Sequence, residues 1–213
     1  MAEIQVPDMV VARLPLYLRA LSHMEREGTA VTSSHELATH LGLSPAQIRK
    51  DLSYFGRFGK QGTGYDVANL RARLTKILNV DRTWAMALVG AGALGLALVH
   101  YGGFQERGFY IACVFDSDPE KIGRDVAGYT VLPSDTIAEE IPHRGISIGV
   151  IAVPAEAAQA VALQLVEAGI KAILNYAPIS LAVPSGVRVQ QIDPVVYLQQ
   201  MTFYLGSGSA SQA

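Results

Sequence analysis

The stretch Ala87-Leu88-Val89-Gly90-Ala91-Gly92-Ala93-Leu94-Gly95 narrows the fold more than any other part of the chain. An apolar run from Trp84 to Val89 predicts a buried strand, three glycines follow at G-x-G-x-x-G spacing, and small apolar residues continue as a helix. Gly90 permits a tight strand-to-helix turn, Gly92 lets a pyrophosphate approach the backbone, and Gly95 lets the helix sit close to the strand. The free N–H groups at the helix start, with Ala91, Ala93 and Leu94, then face the phosphates. Such a motif needs an acid at the end of the next strand. The run Gly108 to Phe115 predicts that strand and Asp116 ends it. The alternative is a glycine-rich turn that merely packs an ordinary α/β unit.

A chain of 213 residues, half of them hydrophobic and 17% charged, is expected to be globular, with one large domain or two small ones. Its apolar runs are short and interrupted by glycine or charge, which predicts no membrane span. No basic segment precedes an apolar one at the N-terminus, so no signal peptide is expected, and a cytoplasmic location fits. Cys113 is the only cysteine, excluding an intrachain disulfide, and the five histidines are scattered without ligand spacing, so no metal site is expected.

The net charge of −2 hides an asymmetry. Residues 1–79 carry ten Lys/Arg against seven Asp/Glu, while residues 80–213 carry seven against twelve. A local basic field on a mildly acidic protein suggests a polyanionic partner for the first part, the alternative being a solvated charged face.

That first part reads as helical. Val10, Val11, Leu14, Leu18 and Leu21 predict a helix over 7–27 with Pro15 awkwardly inside it. Ser33 and Glu36 predict a capping box for a helix from Ser34 to Leu41, which Gly42 ends. Ser44-Pro45-Ala46-Gln47 predicts a second capping box and a helix to about Phe55. Two short helices joined by Gly42-Leu43-Ser44 look like a helix-turn-helix. In the second, Ile48, Leu52 and Phe55 fall on one face, leaving Gln47, Arg49, Lys50, Ser53 and Tyr54 outside, where such residues read base edges and phosphates. Arg57-Phe58-Gly59-Lys60-Gln61-Gly62-Thr63-Gly64-Tyr65 predicts a hairpin with a basic tip. Asp66 is expected to cap a helix from Val67 to about Leu78, and residues 79–82 to mark a domain boundary.

The second part alternates strand and helix, predicting a Rossmann-type parallel sheet over 80–192. Strands are expected at 129–132, 146–153, 171–174 and 187–192. Helices are expected from Ser134 to Ile141, over 155–168, and from the Asp193-Pro194 pair to about Leu205. This last helix is apolar nearly all round, so it is buried either in its own subunit or in a partner. The Gly/Ser-rich tail, 207–213, is expected to be disordered.

The combined order resembles a known family. Ser44-Pro45-Ala46-Gln47-Ile48-Arg49-Lys50-Asp51-Leu52-Ser53-Tyr54-Phe55-Gly56 with the Gly-Lys-Gln-Gly-Thr-Gly-Tyr-Asp wing is similar to the redox-sensing transcriptional repressors called Rex. So are Phe115-Asp116-Ser117-Asp118-Pro119-Glu120-Lys121-Ile122-Gly123, Val153-Pro154-Ala155-Glu156 and Ile173-Leu174-Asn175-Tyr176-Ala177-Pro178. The resemblance implies a winged helix-turn-helix domain (1–79), a Rossmann domain (80–192) and a C-terminal dimer-exchange helix (193–206). It implies a homodimer on palindromic double-stranded operator DNA, released when NADH binds, with NADH and NAD as ligands that are not consumed. Asp118, Lys121, Val153, Pro154, Asn175 and Ala177 would then join the glycine loop and Asp116 at the nucleotide, and Ser33, Ser34, Arg57 and Lys60 would join the reading helix at DNA. Arg19, Tyr101 and Asp193 would belong to contacts that change between the two states. Pro194 stands where some relatives place a bulky apolar residue near the nicotinamide of the other subunit.

A nicotinamide-dependent oxidoreductase is the competing class, but little chain remains for a substrate domain and no general acid-base constellation emerges. A CoA-binding module is a third reading. Asp116, suited to a ribose diol and mildly against a phosphorylated ribose, favours NADH over it.

Overall fold

A computed structural model describes residues 6–56, 58 and 64–207, with side chains to 205. The chain divides into two compact units, residues 1–82 and 83–213.

The first unit is built on α1 (Asp8–Arg26). Pro15 lies within it and does not end it. A short strand β1 (Val31–Thr32) leads to α2 (Ser34–Leu41), and Ser33 and Glu36 form the expected reciprocal capping box. Gly42, at φ 65°, turns the chain through the left-handed region that glycine adopts without strain, and α3 (Pro45–Ser53) follows. Here the second predicted box is only half formed. Ser44 accepts from the Gln47 backbone N–H at 3.1 Å, but the Gln47 side chain points to Asp51 instead of back to Ser44. α3 also ends earlier than expected, Tyr54 and Phe55 forming a turn.

Strand β2 (Tyr65–Asp66) pairs antiparallel with β1, Val31 opposite Asp66. Among the described residues, the strand closing the predicted hairpin therefore finds its partner before α2. A Cβ on Gly64 would lie 2.4 Å from the Thr32 carbonyl oxygen, which is why a glycine leads into this pair. The predicted tip, including Arg57 and Lys60, lies outside the described residues. Asp66 caps α4 (Val67–Ile77) by accepting from Asn69 N–H at 2.7 Å. Leu14, Tyr17, Leu21, Leu37, Ile48, Leu52, Leu70 and Leu74 make one buried core from all four helices.

The second unit begins with β3 (Trp84–Val89) and α5 (Ala93–Val99), followed by β4 (Phe109–Asp116). A hairpin absent from the sequence reading comes next: β5 (Asp125–Val126) pairs antiparallel with β6 (Tyr129–Pro133) across Ala127 and Gly128, both at positive φ. Ser134 does not cap α6 as expected. It opens a single 3-10 turn, and α6 runs Ile137–His143 with no side-chain cap. Then come β7 (Ile148–Ile151), α7 (Ala155–Glu167), β8 (Ala172–Asn175), β9 (Arg188–Gln191) and α8 (Pro194–Ser207).

The sheet order is β5-β6-β4-β3-β7-β8-β9, every pair parallel except β5 with β6. Without β5, this is the doubly wound order whose direction reverses at the first strand, so a crevice opens between β3 and β7 at the carboxyl ends. Alternate strand residues feed two cores. Ala87, Val89, Cys113 and Phe115 pack with α6 and α7, while Met86, Leu88 and Val114 pack with Leu98 of α5. Cys113 is buried in the first core, and burial pushes its thiol up to about 12.

α8 departs from one of the two expectations. Val195, Val196, Tyr197, Leu198, Met201, Phe203, Tyr204 and Leu205 are all exposed, so its own subunit does not bury it. The helix also includes Ser207, one residue into the segment read as disordered; residues 208–213 lie outside the described residues.

Candidate functional site

The glycine loop sits at the crevice, and its three glycines have different physical reasons. Gly90 has φ 106°, and a Cβ there would lie 2.5 Å from the Ala152 carbonyl oxygen. A Cβ on Gly95 would lie 1.8 Å from the Gly90 oxygen. Both are therefore required by the chain itself. Gly92 is different: its φ of −83° suits any residue, and a Cβ would meet nothing within 4 Å. The fold itself makes no demand for glycine at this position.

Asp116 closes the loop from the end of β4. Its Oδ2 accepts from Ala91 N–H at 2.7 Å and from Lys121 Nζ at 3.1 Å, and its Oδ1 accepts from Asp118 N–H at 2.9 Å. The side chain is only 8% exposed. Burial pushes its carboxyl up, but these hydrogen bonds and the Lys121 charge outweigh that and hold it below the usual carboxylate range. Lys121 also lies 3.6 Å from Asp118. Four donors can be accommodated by a carboxylate and three are present here, so Oδ1 keeps acceptor capacity.

Val153 and Pro154 follow β7 on the other side of the crevice, the first half-buried and the second exposed. Asn175 and Ala177 are placed differently from surface contacts, since both are buried. The Asn175 amide donates to the carbonyls of Ala177 and Ile179 and to Gln191 Oε1, and accepts from Ala177 N–H at 3.0 Å. Its visible work is to shape the turn after β8. Tyr101 lies beyond α5, half exposed, edge-on to Phe104 with ring centroids 5.0 Å apart. Asp193 accepts from Val195 N–H at 2.9 Å, starting α8. Arg19 is on the exposed side of α1.

In the first unit, Arg49, Lys50 and Ser53 are exposed on α3, as expected. Arg49 reaches Ser34 Oγ at 2.9 Å, joining the two helices of the motif, and Ser33 is engaged in its cap. Tyr54 is half buried, and so is Gln47, whose Nε2 donates to Asp51 Oδ1 at 2.7 Å. Sequence reading left Gln47 wholly outside and gave Asp51 no role. The signal for Asp51 was its place beside Leu52 and three residues after Ile48, an acid on the apolar face.

Comparisons with known proteins bear on both units. Residues 81–179 match the model described as "CoA binding domain", and residues 5–53 the model described as "Putative DNA-binding protein N-terminus". A protein of Chloroflexus aurantiacus named redox-sensing transcriptional repressor Rex is 50% identical over 93% of this chain and 94% of its own. The chain belongs to the Rex family. Another Rex, from Desulfitobacterium hafniense, is 45% identical over 99% of this chain and all of its own. A crystal structure of RSP, a Rex-family repressor, in complex with β-NAD+ and operator DNA matches with TM-score 0.90 at 36% identity, covering 98% of this chain and 99% of that one. RSP in complex with β-NADH matches with TM-score 0.88, covering 97% of each. Rex relatives are named repressors and not enzymes, so this chain is a redox-sensing transcriptional regulator and the oxidoreductase reading falls away.

Proposed function

We propose that the chain is a homodimeric repressor that binds palindromic operator DNA and leaves it when NADH occupies the crevice between β3 and β7. Residues 1–79 form the DNA-binding domain, 80–192 the NAD(H) domain and 193–206 a helix exchanged between subunits, and the protein works in the cytoplasm. The observation that carries the nucleotide half is the contrast among the glycines: only Gly92 is free of demands from its own fold. A pyrophosphate at Gly92 would meet Ala93 and Leu94 N–H groups at the start of α5. Asp116 would offer its remaining acceptor position to an adenine-ribose hydroxyl, with Asp118 and Lys121 beside it and Val153 and Pro154 flanking the nucleotide. Asn175 and Ala177 would act by shaping the wall after β8.

The DNA half is supported by Arg49, Lys50 and Ser53 on the outside of α3, with Ser33, Ser34, Tyr54, Arg57, Lys60 and Gln47 as further contacts. The dimer is supported by the exposed apolar α8, which a partner copy would cover. Arg19, Tyr101 and Asp193 would exchange partners between the two states.

The test uses duplexes that the protein enriches from a randomised library. Fluorescence anisotropy should show tight binding without NADH and release as NADH is added, with coenzyme A at the same concentration leaving the complex intact. Because the binding steps form a closed cycle, operator should weaken NADH binding by the same factor. Unchanged affinity at saturating NADH sinks the sensor reading. Release by coenzyme A and not by NADH would reassign the ligand.

A further inference from the structure

The recognition helix is held by a buried polar knot. Asp51, in the middle of α3, is fully buried. Its Oδ2 accepts from Arg13 Nε at 2.6 Å and from the Tyr17 hydroxyl at 2.5 Å. Its Oδ1 accepts from Arg13 guanidinium at 2.8 Å and from Gln47 Nε2 at 2.7 Å. All four acceptor positions of the carboxylate are filled. Arg13 and Tyr17 are four residues apart, so they present two donors from one face of α1.

The rest of the seat is apolar. Ile48 and Leu52 of α3 pack into the core with Leu14, Tyr17 and Leu21 of α1. Apolar contact is not directional and by itself leaves a helix some freedom to roll about its own axis. A roll of about 20° moves a side-chain group some 5–6 Å from the helix axis by roughly 2 Å. That exceeds the range of about 0.5 Å within which a hydrogen bond keeps its strength. Arg49 stands about 200° round the helix from Asp51, so any roll left open at Asp51 appears in full at the reading face.

We propose that Asp51 is a positioning residue for sequence recognition: by gripping Arg13 and Tyr17 it fixes the roll of α3 on α1, and by gripping Gln47 it fixes that side chain's rotamer. The inference rests on the operator-binding reading. The Gln47 amide then offers a base edge its second N–H and its carbonyl, already oriented. Contacts to phosphate tolerate a small roll, because charge acts without strict direction. Contacts to base edges do not. The knot therefore serves discrimination between sequences more than affinity for DNA as such.

The variants separate this role from plain stability. Replacing a buried ionic group by apolar residues of similar volume often leaves stability unchanged or raised. The triple variant Arg13→Met, Tyr17→Phe, Asp51→Leu is the main probe, with Tyr17→Phe and Asp51→Asn as milder ones. Each is titrated, as full chain, against the duplex enriched by the unmodified protein and against a scrambled duplex of equal length and composition. The triple variant is expected to melt within a few degrees of the unmodified protein and to bind the scrambled duplex within two-fold. Its preference for the enriched duplex should fall at least ten-fold, with an unchanged salt dependence on the scrambled one. Tyr17→Phe should lose two- to three-fold and Asp51→Asn an intermediate amount. If the triple variant does not fold, the two single variants decide by the same ratio. A preference retained within two-fold in the folded variants overturns the positioning role alone. An unmodified protein that enriches no sequence overturns the operator reading and this inference with it.

Discussion

Asp51 and Asp116 are both buried carboxylates held below the usual range, yet they are built for opposite ends. Asp51 takes four side-chain donors, three of them from a different helix, and has no acceptor position left. Asp116 takes two backbone N–H groups of loops and one lysine from its own strand's exit, and keeps capacity on Oδ1. The first arrangement is closed and rigidifies; the second is open on one side and can answer a ligand. Saturation, and not burial or a shifted pKa, is what separates the two: only Asp116 has an acceptor position left, as the proposed ribose contact requires.

Breaking the closed knot should have the largest effect. Asp51→Ala leaves Arg13 and the Tyr17 hydroxyl without their acceptor, an expected loss of about 3 kcal/mol. For a unit of this size that is a fall of 12 °C or more in its thermal transition, readable by calorimetry. Asp116→Ala should cost far less, about 1 kcal/mol, since water can reach the freed loop donors once the carboxylate is gone.

The open site is sharpened by ligand. Gly92→Val should fold normally, because a Cβ there meets nothing within 4 Å and the backbone suits any residue, and should lose NADH affinity by a hundred-fold or more in a fluorescence titration. The resulting repressor would be one that NADH cannot release. Gly95→Val is the control: its Cβ collides with the Gly90 carbonyl, so the same titration should fail together with the fold. The unmodified protein should bind NADH better than NADPH, and Asp116→Ala should narrow that gap, since the carboxylate repels a 2′-phosphate. Equal binding of both cofactors by the unmodified protein would remove Asp116 from the ribose.

Lys50→Ala compares the outside of α3 with its inside. It should weaken operator binding by about 1–3 kcal/mol while leaving NADH binding and melting temperature unchanged.

The smallest effect is the response to pH. Burial pushes the Asp51 carboxyl up, and hydrogen bonds from Arg13, Tyr17 and Gln47 outweigh it. A depressed folded-state value means that the stabilisation is complete above the unfolded value, about 3.9, and is lost as pH falls below it. Tyr17 is displaced the other way, by burial and by Asp51, so its share is complete below about 10 and is lost as pH rises past that. The share of this pair should therefore be flat between these limits, which denaturant titrations at stepped pH, run on the unmodified protein and on the triple variant, would show as the difference between them.

Much of this was legible in the chain, for local reasons. The Ser33–Glu36 box, the Gly42 turn, the Ser44-Pro45 start and the strand ending in Asp116 each depend on residues a few places apart. What escaped depends on distance. Asp51 meets residues 34 and 38 places away, and no spacing rule links them. Gln47 was misplaced for the same reason, its amide being turned inward by that carboxylate. The β5 hairpin escaped because two residues give no alternation to read, and its turn uses Ala127 at positive φ where Asn or Gly is the usual sign. Asn175 is assigned to the nucleotide by the family resemblance alone, and its bonds within the loop after β8 depend on partners up to 16 places away that no spacing rule links.

The buried Cys113 has a consequence for how such a regulator weathers its surroundings. Burial displaces its thiol up to about 12, so Cys113 stays in the unreactive thiol form at neutral pH. Peroxide and disulfide stress act on exposed thiolates, and the buried Cys113 offers them none. The one cysteine of the chain therefore adds no thiol switch to its response to the balance of a metabolic currency.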